Sequence, residues 1–144
     1  MSQMMIVTDS FLKKLHNQRE HEHNNFSMFV RIVKRGPLII FAKDVGRLLS
    51  DTRCFADKIM SPKFCLMEYK DNISEENFDY AFKAAEVSPE KIIFISTDKR
   101  NFSISNKVGI KKNYYFTEKE VRYANNKFQP YEVLDRIETL LTIM

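Results

Sequence analysis

The segment from Ser74 to Phe116 constrains the fold more than any other stretch, because its hydrophobic spacing alternates between helical and extended, with a breaker at each change. Phe78, Ala81, Phe82 and Ala85 recur three and four residues apart, which places them on one helical face. Ser74 precedes them as a cap, and Glu75 and Glu76 suit the positive end of the helix dipole. Pro89 is expected to stop this helix near Val87, since proline lacks a donor and disfavours helical geometry in the residue before it. The run from Lys91 to Ile95 is continuous, apolar and mostly β-branched, as a strand buried on both faces of a parallel sheet must be. Phe102, Ile104, Ser105 and Val108 then predict a second helix, ended by Gly109, where a left-handed conformation costs glycine least. The next strand runs through Tyr114 to Phe116.

The rest of the chain repeats the alternation. Met4 to Thr8 is a short apolar strand ending at Asp9, and Phe11, Leu12 and Leu15 start a helical pattern behind it. His16 to Asn25 is polar throughout and reads as a loop or an exposed helix end. Phe26, Phe29, Val30 and Val33 predict an amphipathic helix closed by Gly36 and Pro37. Leu38 to Phe41 is a second buried strand, and the helix after it carries Val45, Leu48, Leu49, Phe55 and Ile59, with Asp44 as its cap and Pro62 as its stop. Phe64 to Met67 is a weaker third strand. Tyr131, Val133, Leu134, Ile137, Leu140 and Leu141 are expected in a C-terminal amphipathic helix entered through Pro130. Strands alternating with helices imply right-handed crossovers and therefore an α/β, doubly wound, mainly parallel sheet with helices on both faces, Rossmann-like in outline.

A chain of 144 residues buries roughly two thirds of its unfolded surface, enough for one core without a disulfide or metal, so residues 1–144 are expected to form a single domain. Cys54 and Cys65 lack metal-ligand spacing, and no secretory segment is recognised, so both are expected to be buried, reduced thiols of a cytoplasmic protein. The apolar runs are a handful of residues long, against the ~20 a membrane helix needs, so no membrane role is expected. The net charge of +4 comes partly from pairs at Lys34–Arg35, Lys99–Arg100 and Lys111–Lys112. Nucleic acid is a partner only if such pairs gather on one face; dispersed, they form a solvated rim.

From Asn77 to Phe116 the chain resembles the last third of haloacid dehalogenase-like phosphatases (HAD-like), in which a helix, a Pro-Glu-x-hydrophobic strand, an acidic pair, a helix and a Gly-Ile step follow in this order. Here these are the Phe78 helix, Pro89-Glu90-Lys91 with its strand, Ser96-Thr97, the Phe102 helix and Gly109-Ile110. The resemblance implies a capless HAD-like core and a site at the carboxyl ends of the strands. Its chemistry would need a nucleophilic aspartate with a second acid two residues on, then a hydroxyl, a lysine, and a final acid or acidic pair holding Mg2+.

Carried onto this chain, the resemblance makes Asp9 the nucleophile but puts Phe11 at the second acid. If Thr8 is aligned instead, the nucleophile is absent. Ala42 stands for the hydroxyl residue, Lys70 for the lysine, and Ser96 and Thr97 for the acidic pair, with Asp98 one place late. These departures imply a catalytically degenerate protein: a non-catalytic binding or assembly module acting through contacts with another protein, with no cofactor. The alternative is a divergent phosphohydrolase using Asp9, Lys70 and Asp98, with Mg2+ on Asp9 and Asp98. Lys43, Lys70 and Thr97 are candidate phosphate or anion ligands, Thr97 or Asp98 doubles as a candidate helix cap, and Tyr123, Phe128 and Tyr131 are a candidate aromatic contact patch for a partner. His21 and His23, two residues apart, do not share a helix face and read as solvated rather than chelating.

Overall fold

The computed structural model describes residues 4–18, 23–33, 37–51, 64–117, 130–134, 137 and 140. The apolar runs become strands: Met4–Thr8 (β1), Leu38–Ala42 (β2), Phe64–Glu68 (β3), Ile92–Ser96 (β4) and Lys112–Phe116 (β5), joined by a short sixth strand, Glu132–Leu134 (β6). All pairings are parallel, in the order β3-β2-β1-β4-β5-β6. β1 and β4 are neighbours, with Met5 opposite Ile93 and Val7 opposite Ile95, so the N-terminal strand and the strand after Pro89 share direction and register at the centre of the sheet. Every residue of β1, β2 and β4 is buried, the reason these strands lack polar alternation.

The helices are Asp9–Gln18 (α1), His23–Val33 (α2), Val45–Asp51 (α3), Glu75–Ala85 (α4) and Asn101–Lys107 (α5). Because successive strand residues point to opposite faces, each central strand feeds two cores. Met5, Val7, Leu38, Ile40, Ile93 and Ile95 face α1, α2 and Leu48 of α3, where Phe11 meets Phe29 and Phe116 edge to face. Met4, Ile6, Ile39, Phe41, Ile92 and Phe94 face α4 and α5. On that side Phe78 packs edge to face on both Phe41 and Phe94, and Phe94 on Phe102. No helix among the described residues is long and apolar enough to cross a membrane.

Local signals explain several helix ends. Asp44 accepts the Arg47 N–H at 3.0 Å at the start of α3, and Asn77 Oδ1 accepts both the N–H and the hydroxyl of Ser74 at the start of α4. Gly109 lies at φ +102, where L-residues are strained, and a side chain there would also press on Pro89.

Some expectations are corrected. α4 ends before Val87: Glu86 adopts a left-handed conformation (φ 53), and its N–H and that of Val87 both go to the Phe82 carbonyl. Lys91 belongs to a 3-10 turn, Pro89–Lys91, and the strand starts one residue later. Of the polar stretch read as a loop or an exposed helix end, His16 to Gln18 and His23 to Asn25 are helical; His21 lies outside the described residues. Val133 and Leu134, expected in a helix, are in β6, where pairing satisfies the backbone edge of β5 while Leu134 still reaches the core. Leu140 is helical, and it and Ile137 are buried. Cys65 is exposed rather than buried, because β3 is an edge strand; Cys54 and the predicted extension of α3 to Ile59 lie outside the described residues.

Candidate functional site

Parallel strands deliver their carboxyl ends to one rim, so residues far apart in the chain meet there. β1 passes into α1 with no intervening residue, and Thr8 serves as the helix cap, its Oγ1 accepting the Phe11 N–H at 3.3 Å. Thr8 and Ser10 hydroxyls lie 3.0 Å apart, and Thr97 Oγ1, from the end of β4, donates to Ser10 Oγ at 2.6 Å. A chain of hydroxyls thus bridges the two central strands. The pair two residues apart that faces β4 is Thr8 and Ser10, whereas Phe11 is fully buried in the core.

Asp9 is held toward β2 and β3. Its Oδ2 accepts the Lys43 N–H at 3.1 Å, and its Oδ1 accepts the Ser10 N–H at 2.9 Å and a long bond of 3.4 Å from the Tyr69 hydroxyl. Tyr69 follows β3 and is anchored by its N–H on the Ala42 carbonyl. Partial burial, and then the Asp9 carboxylate, its hydrogen bond and the charge of Asp98, push the Tyr69 phenol up to about 12. Both Asp9 and Asp98 therefore hold the same phenol up. Sequence reasoning passed over Tyr69; its only signal was its place directly after a strand that ends at the rim.

Asp98 is occupied from within the chain. Its Oδ1 accepts the Arg100 N–H at 3.0 Å, and its two oxygens accept Nε and Nη2 of the same guanidinium, the shortest contact being 2.8 Å. The bond to the Arg100 side chain is the main reason the Asp98 carboxyl titrates below the usual carboxylate range. Asp98 also shapes the entry to α5, its carbonyl accepting the Asn101 N–H. Ser96 is fully buried, with Oγ accepting the Asp98 N–H at 3.0 Å and Asn101 Nδ2 at 2.8 Å. It serves the loop, while Thr97 faces the hydroxyl bridge.

Lys43 follows β2 and Lys70 follows Tyr69; both side chains are exposed at the rim. Lys99 lies 5.2 Å over the Tyr115 ring, whereas Lys111 and Lys112 sit at the opposite end of the sheet, so these basic pairs do not share one face. At that opposite end a polar cavity of about 290 Å3 opens beside Asn106, Lys111, Lys112, Tyr131 and Glu132, away from Asp9 and Asp98. Tyr131, a candidate for the aromatic contact patch, is half-buried, its ring 4.9 Å from Phe102 and 5.5 Å from Tyr115; Tyr123 and Phe128 lie outside the described residues.

Among the described residues the donor set does not fit magnesium. The ion needs several oxygen ligands, charged ones above all, to offset its dehydration. The groups nearest the junction of β1 and β4 are neutral hydroxyls, Asp9 is engaged by two backbone N–H groups, and Asp98 by a guanidinium. Among the described residues no group of three potential metal ligands gathers.

A doubly wound parallel sheet with its polar groups at the carboxyl ends of β1 to β4 defines an α/β protein, and the chain has the haloacid dehalogenase-like fold. It is similar to a Thermotoga maritima structure designated a beta-phosphoglucomutase, with TM-score 0.61 and 14% identity over 85% of this chain and 59% of that one. An L-2-haloacid dehalogenase matches with TM-score 0.54 and 16% identity over 79% of this chain and 52% of its own. The D,D-heptose 1,7-bisphosphate phosphatase of Burkholderia thailandensis matches with TM-score 0.54 and 8% identity over 99% and 97% of the two chains. The chain thus spans between half and two thirds of the first two structures, and at these identities the likeness is one of fold. No protein-family model matches the sequence, and neither does any curated protein.

Proposed function

We propose that this chain is a non-catalytic binding or assembly module on a haloacid dehalogenase-like fold, recognising another protein through a rigid surface. The observation that carries the reading is the hydroxyl bridge Thr8–Ser10–Thr97. In a phosphohydrolase of this fold the residues at the ends of the two central strands must neutralise a phosphoryl group and a metal ion together, which takes carboxylates. Hydroxyls hydrogen-bond but supply no charge. Asp9, the remaining candidate nucleophile, is oriented by Lys43, Ser10 and Tyr69 toward the neighbouring strands.

A second reading, a divergent magnesium-dependent phosphohydrolase with Asp9 as nucleophile, is favoured by two facts. Asp9 and Asp98 influence the same Tyr69 phenol, and similar structures include a phosphatase. One assay separates the two: hydrolysis of p-nitrophenyl phosphate with magnesium, in the wild type and in Asp9→Asn. The binding-module reading expects no turnover above buffer in either. Turnover in the wild type that Asp9→Asn abolishes replaces it with the hydrolase.

A further inference from the structure

We propose that the guanidinium of Arg100 is a resident cation at the exposed rim beyond β4, standing where a divalent ion would otherwise be drawn by Asp98. Arg100 saturates this acid. Oδ1 accepts the backbone N–H at 3.0 Å and Nε at 3.1 Å, while Oδ2 accepts Nη2 at 2.8 Å and Nε at 3.2 Å. The forked geometry matches the carboxylate plane, a fit that a point charge such as lysine cannot reproduce. Only one residue, Lys99, separates the partners, so the chain between them has little freedom to lose in bringing them together. The loop is fixed independently, because buried Ser96 holds both the Asp98 N–H and the Asn101 amide. Asp98 is therefore presented to Arg100 by groups that would stay in place without it.

An incoming divalent ion must displace this guanidinium to gain the Asp98 carboxylate. Otherwise it has Asp9, whose oxygens already accept the Lys43 and Ser10 N–H groups, and neutral hydroxyls. Magnesium parts with its water only for several oxygen ligands in near-octahedral array. The competition favours the arginine, and the rim beyond β4 keeps a positive charge that chelators cannot remove. Stability and partner binding are accordingly indifferent to magnesium and to EDTA. Arg100 is the determinant of that indifference at Asp98, beside the neutral hydroxyls and the engaged Asp9.

The test is a titration of the full chain with Mn2+, read as paramagnetic broadening of backbone amide resonances, in the wild type, Arg100→Ala, Arg100→Lys and the double variant Arg100→Ala/Asp98→Asn. The Arg100 side chain is 81% exposed, so its removal leaves the core intact, which the amide spectrum without metal verifies. The wild type is expected to show no saturable broadening centred on Asp98. Arg100→Ala is expected to show it at a Mn2+ concentration at least about tenfold below any effect in the wild type, as loss of a nearby like charge requires. Arg100→Lys falls between, and the double variant loses the gain. Saturable binding at Asp98 in the wild type overturns the proposal, and so does an Arg100→Ala variant that behaves as the wild type. These outcomes are independent of turnover: metal bound without hydrolysis sinks this inference alone, while Asp9-dependent hydrolysis sinks the binding-module reading.

Discussion

Phe94 gives the sharpest test of the packing argument. It lies in the middle of the central strand β4 with no exposed surface, and its ring meets Phe78 at 5.2 Å and Phe102 at 5.7 Å, so it joins β4 to both helices on that face. Phe94→Ala removes a fully buried aromatic ring between two rings that are themselves fixed, on α4 and α5. Such truncations cost about 3–5 kcal/mol, and two lost edge-to-face contacts keep this one off the lower end, at about 4 kcal/mol. For a chain of this length that corresponds to a fall of roughly 15 °C in Tm, a large share of a stability of about 5–15 kcal/mol. Tyr80→Ala, on the outer face of α4 with 72% of its surface exposed, is expected to change stability by less than about 0.5 kcal/mol. Urea unfolding followed by circular dichroism measures both, with an unchanged slope required for the comparison. A loss below about 1 kcal/mol in Phe94→Ala, or a Tyr80→Ala loss of similar size, would falsify the assignment of this face as a packed core.

Other consequences follow from single groups. Gly109→Ala places an L-residue at φ +102 with its Cβ 3.3 Å from that of Pro89, and is expected to cost about 2 kcal/mol in the same unfolding assay; a neutral result would refute the strained turn. The Tyr69 phenol is raised from 10.0 to about 12, so its contribution is complete below pH 10 and is lost as pH rises toward 12. Discounted for the solvent reaching this half-buried ring, the loss is about 1 kcal/mol, and Tyr69→Phe should remove that part of the alkaline slope. An identical slope in both proteins would refute the raised phenol. Asp98 is lowered from 3.8 mainly by Arg100, so its contribution is present above that value and disappears as pH falls through the lower folded value. Arg100→Ala should flatten the acid limb of stability below about pH 4, and an unchanged limb would mean that the ion pair does not persist in solution.

What could be read from the sequence was whatever depends on a few consecutive residues. The β-branched run at Ile92–Ile95, the cap at Asp44, Ser74 ahead of α4 and the left-handed Gly109 are local, because period, capping and positive φ are satisfied within a turn or two of chain. Alternation of such elements was enough to imply the parallel winding. Tertiary structure decided the rest, since the groups that meet at the rim are separated by 34 residues for Asp9 and Lys43, 60 for Asp9 and Tyr69, and 87 for Ser10 and Thr97. Whether Thr8 or Asp9 faces β4 depends on where β1 stops and α1 starts, and a one-residue shift there exchanges the two sides of the strand. Likewise Val133 and Leu134 carry a spacing that suits a helix, but the unpaired edge of β5 drew them into a strand, a choice that no local pattern contains.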